Sequence, residues 1–481
     1  MNNPEKDRVC AVTVTYGDRF KYLKNVIEFC LKGNVSKIII VDNASVENSR
    51  KQLRKIEEKY KDKIKVIYLN ENLGSAGGYK KGLEEAYKCE ECDYILLLDD
   101  DNVLQQGGVR KYLEILKELS KSNDRDDVAL FALRSSRPYL IEIIKSGTSE
   151  NLLEPLNSFL GFHIFHYWKR IVRKILKKIK ASNGLEFKKR KYIKTQYALF
   201  GGLFFNKKIL EKVGFPDEKY YLYGDDIDFT YRMVKNGIEV YLIPNLKIID
   251  LDEYWAKPEE SKKHSYFFGN VNRVFYTIRN QIYFQMKYRV TNRFIFNINK
   301  YIYNFKMFIS ALFNKKLDRF HLYRRAVQDA IHKNMGKRKY RVLFISNTLD
   351  ESKYLENLLN LVLKECNSNH VKDITTRKII LEPNNLKRED SCTVNNSLVI
   401  LNTKNYSNKF LNLLKKIVGI PKVIYYIWKI NPDLILISKS INNIFIVISK
   451  LLGYKTYIFD CKPDNKHKET IKKVVRDIGN L

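Results

Sequence analysis

Residues 94–102 read YILLLDDDN, an apolar run that stops at three adjacent acids. A short, unbroken apolar stretch of this kind is a strand covered on both faces, so the acids fall at its carboxyl end. Three similar runs lie upstream: Val9–Thr15 (VCAVTVT), Lys37–Val41 (KIIIV) and Ile64–Leu69 (IKVIYL). The segments between them read as helices. Phe20, Leu23, Val26, Ile27 and Cys30 recur at helical spacing, Val46–Tyr60 is a charged helix, and Gly74–Tyr87 opens on glycine and serine. Four strands alternating with helices predict a doubly wound, mostly parallel α/β sheet over the first hundred residues.

In such a sheet ligands bind beyond the carboxyl ends of the strands. Polar clusters occupy those four positions here: Thr15-Tyr16, Asp42-Asn43, Asn72 to Gly78, and Asp99 to Asp101. Turns also use Asn, Asp and Gly, so each cluster alone is a weak signal. Four on one edge point to a site.

Three adjacent acids repel one another, which is tolerated in water or around a cation. Mg2+ and Mn2+ take carboxylate oxygens and keep positions open for diphosphate oxygens. Helix capping is the plainer reading of the same residues. A second acidic group, Gly224-Asp225-Asp226-Ile227-Asp228, is flanked by Tyr220, Tyr221 and Tyr223 and leads into a helix. Three carboxylates exceed what a cap needs, and one beside an aromatic cleft can act as general base toward a hydroxyl.

Taken in order, Val14-Thr15-Tyr16 with Arg19, VDNAS (41–45), NLGSAGG (72–78), LLDDDN (97–102), GGLFF (201–205) and YGDDIDF (223–229) form a set. This set resembles family 2 inverting glycosyltransferases of GT-A fold, in the galactofuranosyl- and rhamnosyltransferase branch. The likeness runs from Val9 to Lys337 and includes Arg279-Asn280. It implies that Thr15, Tyr16 and Asp42 hold the nucleoside of a UDP- or dTDP-sugar. Arg19 and the backbone of Asn72, Gly74, Gly77 and Gly78 would face its diphosphate. Asp99 and Asp101 would ligate Mn2+ or Mg2+, and Asp99 and Asp100 would help hold the nucleotide sugar. Asp226 is the implied general base, with Asp225 the runner-up, and Gly201, Gly202 and Phe204 would line the acceptor site. One departure stands out. The branch places a metal-binding His after the strand that follows the GDD helix, where this chain has Asp250 in IIDLDEYW (248–255); His264 is the other candidate. The implied reaction is inverting transfer to a hydroxyl of a cell-surface glycan or lipid-linked acceptor, without a covalent glycosyl-enzyme.

Competing chemistries fit less well. A glycoside hydrolase also uses two carboxylates but needs no acidic triplet beside a glycine loop. A nucleotidyltransferase wants a basic glycine-rich loop in its first strand-helix turn, and Tyr16-Gly17-Asp18-Arg19 is a poor version. The net charge of +33 over 481 residues points to a polyanion, so a basic nucleic-acid- or membrane-binding protein with a degenerate transferase domain is the alternative. No recognisable nucleic-acid motif accompanies the charge, and part of the lysine excess is explicable by genome composition, so a specific nucleic-acid partner is not expected.

An anionic membrane surface is the better match. Phe162–Thr195 carries twelve Lys or Arg against one acid, Glu186, with Phe165, Trp168, Val172, Ile175 and Ile179 at helical spacing. That is the signature of a surface-lying basic helix, or of a helix packed on the domain with a solvated basic face. Tyr283–Arg325 offers the same choice. The first residues lack a signal-peptide core and no run reaches membrane-spanning length, so the expectation is a cytoplasmic protein, peripheral on the inner face of the membrane. Seven scattered cysteines fit reduced thiols, and the lone Cys89/Cys92 pair lacks a second pair at zinc spacing.

A new strand-helix alternation begins near Gly336–Lys339. The expected organisation is therefore a GT-A-type domain over 1–337, with a basic insertion (162–195) and a helical extension (263–335), then a small Rossmann-like α/β domain over 338–481. The INPDLILIS of 430–438 resembles the first half of GT-B glycosyltransferases, but without the nucleotide-binding half no catalysis is expected of it.

Overall fold

In the computed structural model the described residues are 7–33, 35–123, 127–149, 152–166, 190–252 and 265–346. Beyond these come 354, 357, 374–380, 398–400, 424–425, 427–428, 430–432, 434–438, 443–454 and 456–459. His264 and most of the basic segment expected over 162–195 lie outside them. The chain divides into two compact units: residues 1–263, 279–301 and 333–336, and residues 264–278, 302–332 and 337–481. The helical extension expected over 263–335 is thus shared between the units.

The first unit is built on a nine-stranded sheet. Its parallel part comprises β1 (Val9–Thr15), β2 (Lys37–Asp42), β3 (Ile64–Tyr68) and β4 (Tyr94–Asp99), in the order β3-β2-β1-β4. Past β4 it becomes mixed. With β5 (Asn102–Leu104), β6 (Val128–Arg134), β7 (Ile193–Thr195), β8 (Leu203–Asn206) and β9 (Glu239–Asp250), the order continues β8-β6-β9-β5, and β7 also pairs with β9. β8 runs antiparallel to both β4 and β6, while β6 and β9 are parallel.

Period-two alternation explains why both faces are covered. Val9 and Ala11 of β1, Ile38 and Ile40 of β2, and Leu96 and Leu98 of β4 pack with Leu23, Ile27 and Leu53 of helices α1 (Phe20–Lys32) and α2 (Glu47–Lys59). The alternate residues Cys10, Val12, Val14, Ile39, Val41, Ile95 and Leu97 face Tyr79, Leu83 and Ala86 of α3 (Gly74–Lys88), together with Phe229 and Met233. Helix α3 approaches β1 at glycine distance. A Cβ at Gly78 would stand 2.5 Å from Val14 Cγ1, and one at Gly82 2.5 Å from Val12 Cγ1.

The second unit contains a five-stranded parallel sheet. Its order is β12-β11-β10-β13-β14, with β10 at Tyr340–Ser346, β11 at Ile374–Ile380, β12 at Leu398–Ile400, β13 at Leu434–Ser438 and β14 at Thr456–Phe459. Leu343, Ile345, Ile435, Ile437, Ile446 and Tyr454 form its core. Two strands wound to one side of β10 and two to the other give the expected Rossmann-like order. No described helix is long and apolar enough to cross a membrane.

Candidate active site

The strand ends of the first unit bring the expected acids together with two arginines. At the end of β4, Asp100 is buried and accepts hydrogen bonds from Thr15 Oγ1 (2.8 Å) and Arg19 Nε (3.0 Å). Arg19 Nη2 pairs with Asp101 Oδ2 at 2.7 Å, and its Nη1 reaches Asp252 Oδ2 at 3.3 Å. Burial pushes the Asp100 carboxyl up to about 7 despite the opposing Arg19 charge. Asp101 is raised too, by burial and then by Asp99. Tyr16 is half exposed, with the Arg19 guanidinium 5.6 Å from its ring centroid.

Asp99 faces a different partner. Its Oδ1 accepts from Tyr79 Oη (3.0 Å), and its Oδ2 accepts from Asn102 Nδ2 (2.8 Å) and Arg134 Nη1 (2.8 Å). The same guanidinium pairs through Nη2 with Asp250 Oδ1 at 2.6 Å, while Ser136 Oγ donates to Asp250 Oδ2. Burial works against the Arg134 charge, but Asp99 and Asp250 outweigh it and hold the group firmly ionised.

These bonds bear on the expected metal. Hard carboxylate oxygens are the right donors for Mg2+ or Mn2+. Five acids (Asp99, Asp100, Asp101, Asp250 and Asp252) against two guanidinium groups leave an excess of negative charge for a divalent ion. Asp99 and Asp101 fit such an ion in kind. Asp250 offers the same oxygens and, like Asp99, is ion-paired with Arg134, while Ser136 donates to its second oxygen. Among the described residues no group of three or more His, Cys, Asp or Glu side chains is arranged to hold a metal.

Across from this cluster lie the acids of the second motif. The loop Tyr220–Gly224 leads into the helix Asp225–Lys235, and Gly224 at φ +83 supplies the left-handed turn that starts it. Asp225 is buried with Oδ2 accepting from Ser75 Oγ at 2.7 Å, and burial, then Asp226, push its carboxyl up to about 8. Asp226 is only half-buried and accepts the Ile227 backbone N–H at 2.8 Å. Burial raises it to about 6, with the Ile227 N–H opposing and Asp99 adding to the rise. Asp228 is fully buried and serves the fold: it pairs with Arg232 (3.0 Å) and Lys287 (2.9 Å) and accepts from Tyr220 and Tyr288 hydroxyls.

The glycine loop closes the site between these groups. Asn43 pins it by accepting from Leu73 N (2.8 Å) and donating to Gly74 O (2.9 Å), and Asn72 Oδ1 accepts from Gly74 N. Gly74 sits at φ +72 against the Tyr221 carbonyl, where a side chain would overlap backbone. A Cβ at Gly77 would crowd Leu73. Asp42 is wholly buried, paired with Arg50 (2.6 Å) and accepting from Ser45 N, so its oxygens are already engaged.

The acceptor segment needs correction. Gly201 does face the cluster, since a Cβ there would lie 2.8 Å from Asn102 Nδ2 and 3.0 Å from Asp99 Oδ2. Gly202, at φ +85, turns toward Ile248, and Phe204 is fully buried between Tyr112 and Tyr94, with centroids 4.9 and 5.6 Å away. Phe204 belongs to the core, because β8 is covered on both faces. Four residues the sequence reading missed are Ser75, Tyr79, Arg134 and Ser136. Arg134 had a usable signal, its position at the end of a buried strand.

Residues 10–176 match the model of glycosyl transferase family 2. A Bacillus subtilis protein named for teichuronic acid biosynthesis, glycosyltransferase TuaG, is 32% identical over 24% of this chain and 44% of its own length. A dTDP-rhamnosyl transferase of Shigella flexneri is 24% identical over 50% of this chain and 68% of its own. A galactofuranosyltransferase of Mycolicibacterium smegmatis is 24% identical over 57% and 82%. The chain spans less than half the length of the Bacillus relative.

Proposed function

We propose, from the match of residues 10–176 to the glycosyl transferase family 2 model, that this chain transfers a sugar, with inversion, from a UDP- or dTDP-linked donor to a hydroxyl of a cell-wall or other surface glycan, free or lipid-linked. The observation that carries the proposal is the placing of two unlike carboxylate sets at one sheet edge. One set, Asp99 to Asp101, is tied to arginines; in the other, half-buried Asp226 has a carboxyl raised in part by Asp99. A purely binding surface has no use for this division.

The donor side is charge-compensating. Thr15 and Arg19 fix Asp100, while Arg19 keeps a cation beside the diphosphate that must leave. Mn2+ or Mg2+ held by Asp99 and Asp101 would add positive charge there when bound. The acceptor side is proton-accepting. Asp226, raised to about 6, is largely ionised near neutral pH yet basic enough to take the proton of the attacking hydroxyl. Attack from the face opposite the leaving group inverts the anomeric centre.

Peripheral attachment to an anionic membrane is part of the reading. The net charge of +33 supports it, as does the helix Arg293–Phe313, which has no acid in its sequence and exposes Phe294, Tyr301, Phe305 and Phe308 along one side. The division into a catalytic domain and a structural or docking α/β domain belongs to the same reading. The test is a screen of nucleotide sugars with and without Mn2+ or Mg2+, following release of nucleoside diphosphate. Release dependent on an added glycan acceptor is expected; no release from any donor would sink the proposal.

A further inference from the structure

The loop that delivers Asp225 and Asp226 is strained. Tyr221 and Tyr223 both sit at φ +63, a region that side-chain-bearing residues rarely occupy and that costs about 1–3 kcal/mol each. Such a backbone persists only where its surroundings over-determine it. The surroundings here are two consecutive, almost wholly buried polar side chains on the helix Val271–Tyr288, Arg279 and Asn280.

Asn280 Nδ2 shares its two N–H groups among three carbonyl oxygens of this one loop: Tyr220 (2.9 Å), Leu222 (2.8 Å) and Tyr223 (2.7 Å). Its amide is locked in that orientation because Arg279 Nε donates to Asn280 Oδ1 at 3.0 Å, leaving only the nitrogen to face the loop. Arg279 adds its own donation to Tyr220 O (3.0 Å) and ties the loop to Gly336 O (2.7 Å). On its other side the loop touches the donor segment, since Tyr221 O accepts from Ala76 N at 3.2 Å. Fold stability alone does not call for three carbonyls of a strained loop to converge on one amide. The loop ends at Gly224, whose carbonyl accepts from Asp228 N in the first turn of the helix that holds Asp226.

We infer that Asn280, oriented by Arg279, is a positioning residue for catalysis: it holds the Tyr220–Gly224 loop so that the Asp226 carboxylate meets the acceptor hydroxyl. The inference rests on the assignment of Asp226 as base. It assigns to Asn280 no contact with substrate.

The test uses the full chain and the isosteric variant Asn280→Asp, which keeps volume but removes both N–H donors. A displacement of the base by about an ångström costs roughly hundredfold in turnover. The expected result is therefore a roughly hundredfold fall in kcat, a donor KM within about threefold of wild type, and a displaced acidic limb of the kcat–pH profile. A folded variant with kcat within about threefold of wild type and an unmoved limb overturns the inference. Should Asn280→Asp fail to fold, Asn280→Ser, which retains one short donor, reads the same split. Asp226→Asn measured alongside separates the two assignments. Full turnover there removes the base, whereas a dead Asp226→Asn beside an unaffected Asn280→Asp removes the clamp alone.

Discussion

Ser75 Oγ donates to Asp225 Oδ2 at 2.7 Å, a partner that the adjacent Asp226 lacks; Asp226 accepts the Ile227 backbone N–H instead. Asp225 is buried and its Oδ2 is occupied by Ser75; Asp226 is half-buried. Asp226→Asn is therefore expected to lower kcat by roughly 10²–10⁴ with little change in donor KM, as loss of a general base does. Asp225→Asn should cost about tenfold or less, since the amide oxygen it introduces can still accept from Ser75. Steady-state kinetics with saturating donor decide; equal losses in both would reverse the roles.

The pH profile follows from the base. A carboxyl raised to about 6 must lose its proton to work, so kcat should climb by about tenfold per pH unit below 6 and level off above 7. Rates measured at constant ionic strength check this. A flat profile from pH 5 to 8 would contradict it.

Glu154 gives a separate linkage signal away from the site. Burial pushes its carboxyl up to about 7 while Gln281 and Gln285 donate to it. Between about pH 5 and 7 the folded chain keeps this proton and the unfolded chain has lost it. Stability from this group is thus highest below the unfolded pKa, falls as pH rises, and is gone once pH has passed through the folded value near 7. Glu154→Gln mimics the protonated form. Its Tm should match wild type near pH 5 and exceed it near pH 8; a difference independent of pH would refute the burial account.

Arg134 predicts a metal effect readable without turnover. Arg134→Ala leaves Asp99 and Asp250 facing each other without their shared cation, at a cost of up to about 3–5 kcal/mol. Mn2+ should recover part of the lost Tm in the variant, and stabilise it more than it stabilises wild type. Thermal unfolding across a Mn2+ titration is the measurement.

Membrane attachment is testable by flotation. The chain should bind vesicles containing phosphatidylglycerol at low salt, bind neutral vesicles weakly, and release at about 0.5 M salt, where the Debye length shrinks to a few ångströms. Tyr301→Ser with Phe305→Ser should weaken the anionic binding. No vesicle binding in low salt would end the peripheral reading.

How far the sequence could be read depended on where the information lay. The four parallel strands were legible because every residue of β1 is buried, and a strand covered on both faces has no other pattern to adopt. Asp99 to Asp101 were legible as a cluster for the same reason, since the strand end fixes where they stand. Phe204 was not, because the alternation that places Gly201 at the site does not tell whether a helix covers the far face. Arg134 and Asp250 meet only through the pairing of β6 with β9, a register no local spacing encodes. The strain at Tyr221 and Tyr223 is likewise invisible in a run of tyrosines.

Asp228 carries a warning for any mutational survey of this motif. Its carboxylate is the common knot for side chains of Tyr220, Arg232, Lys287 and Tyr288, so deleting it unties three segments of chain at once. An activity screen would score Asp226 and Asp228 alike as indispensable, one for chemistry and one for architecture. Only a melting curve taken beside each assay tells a silent catalyst from a collapsed one.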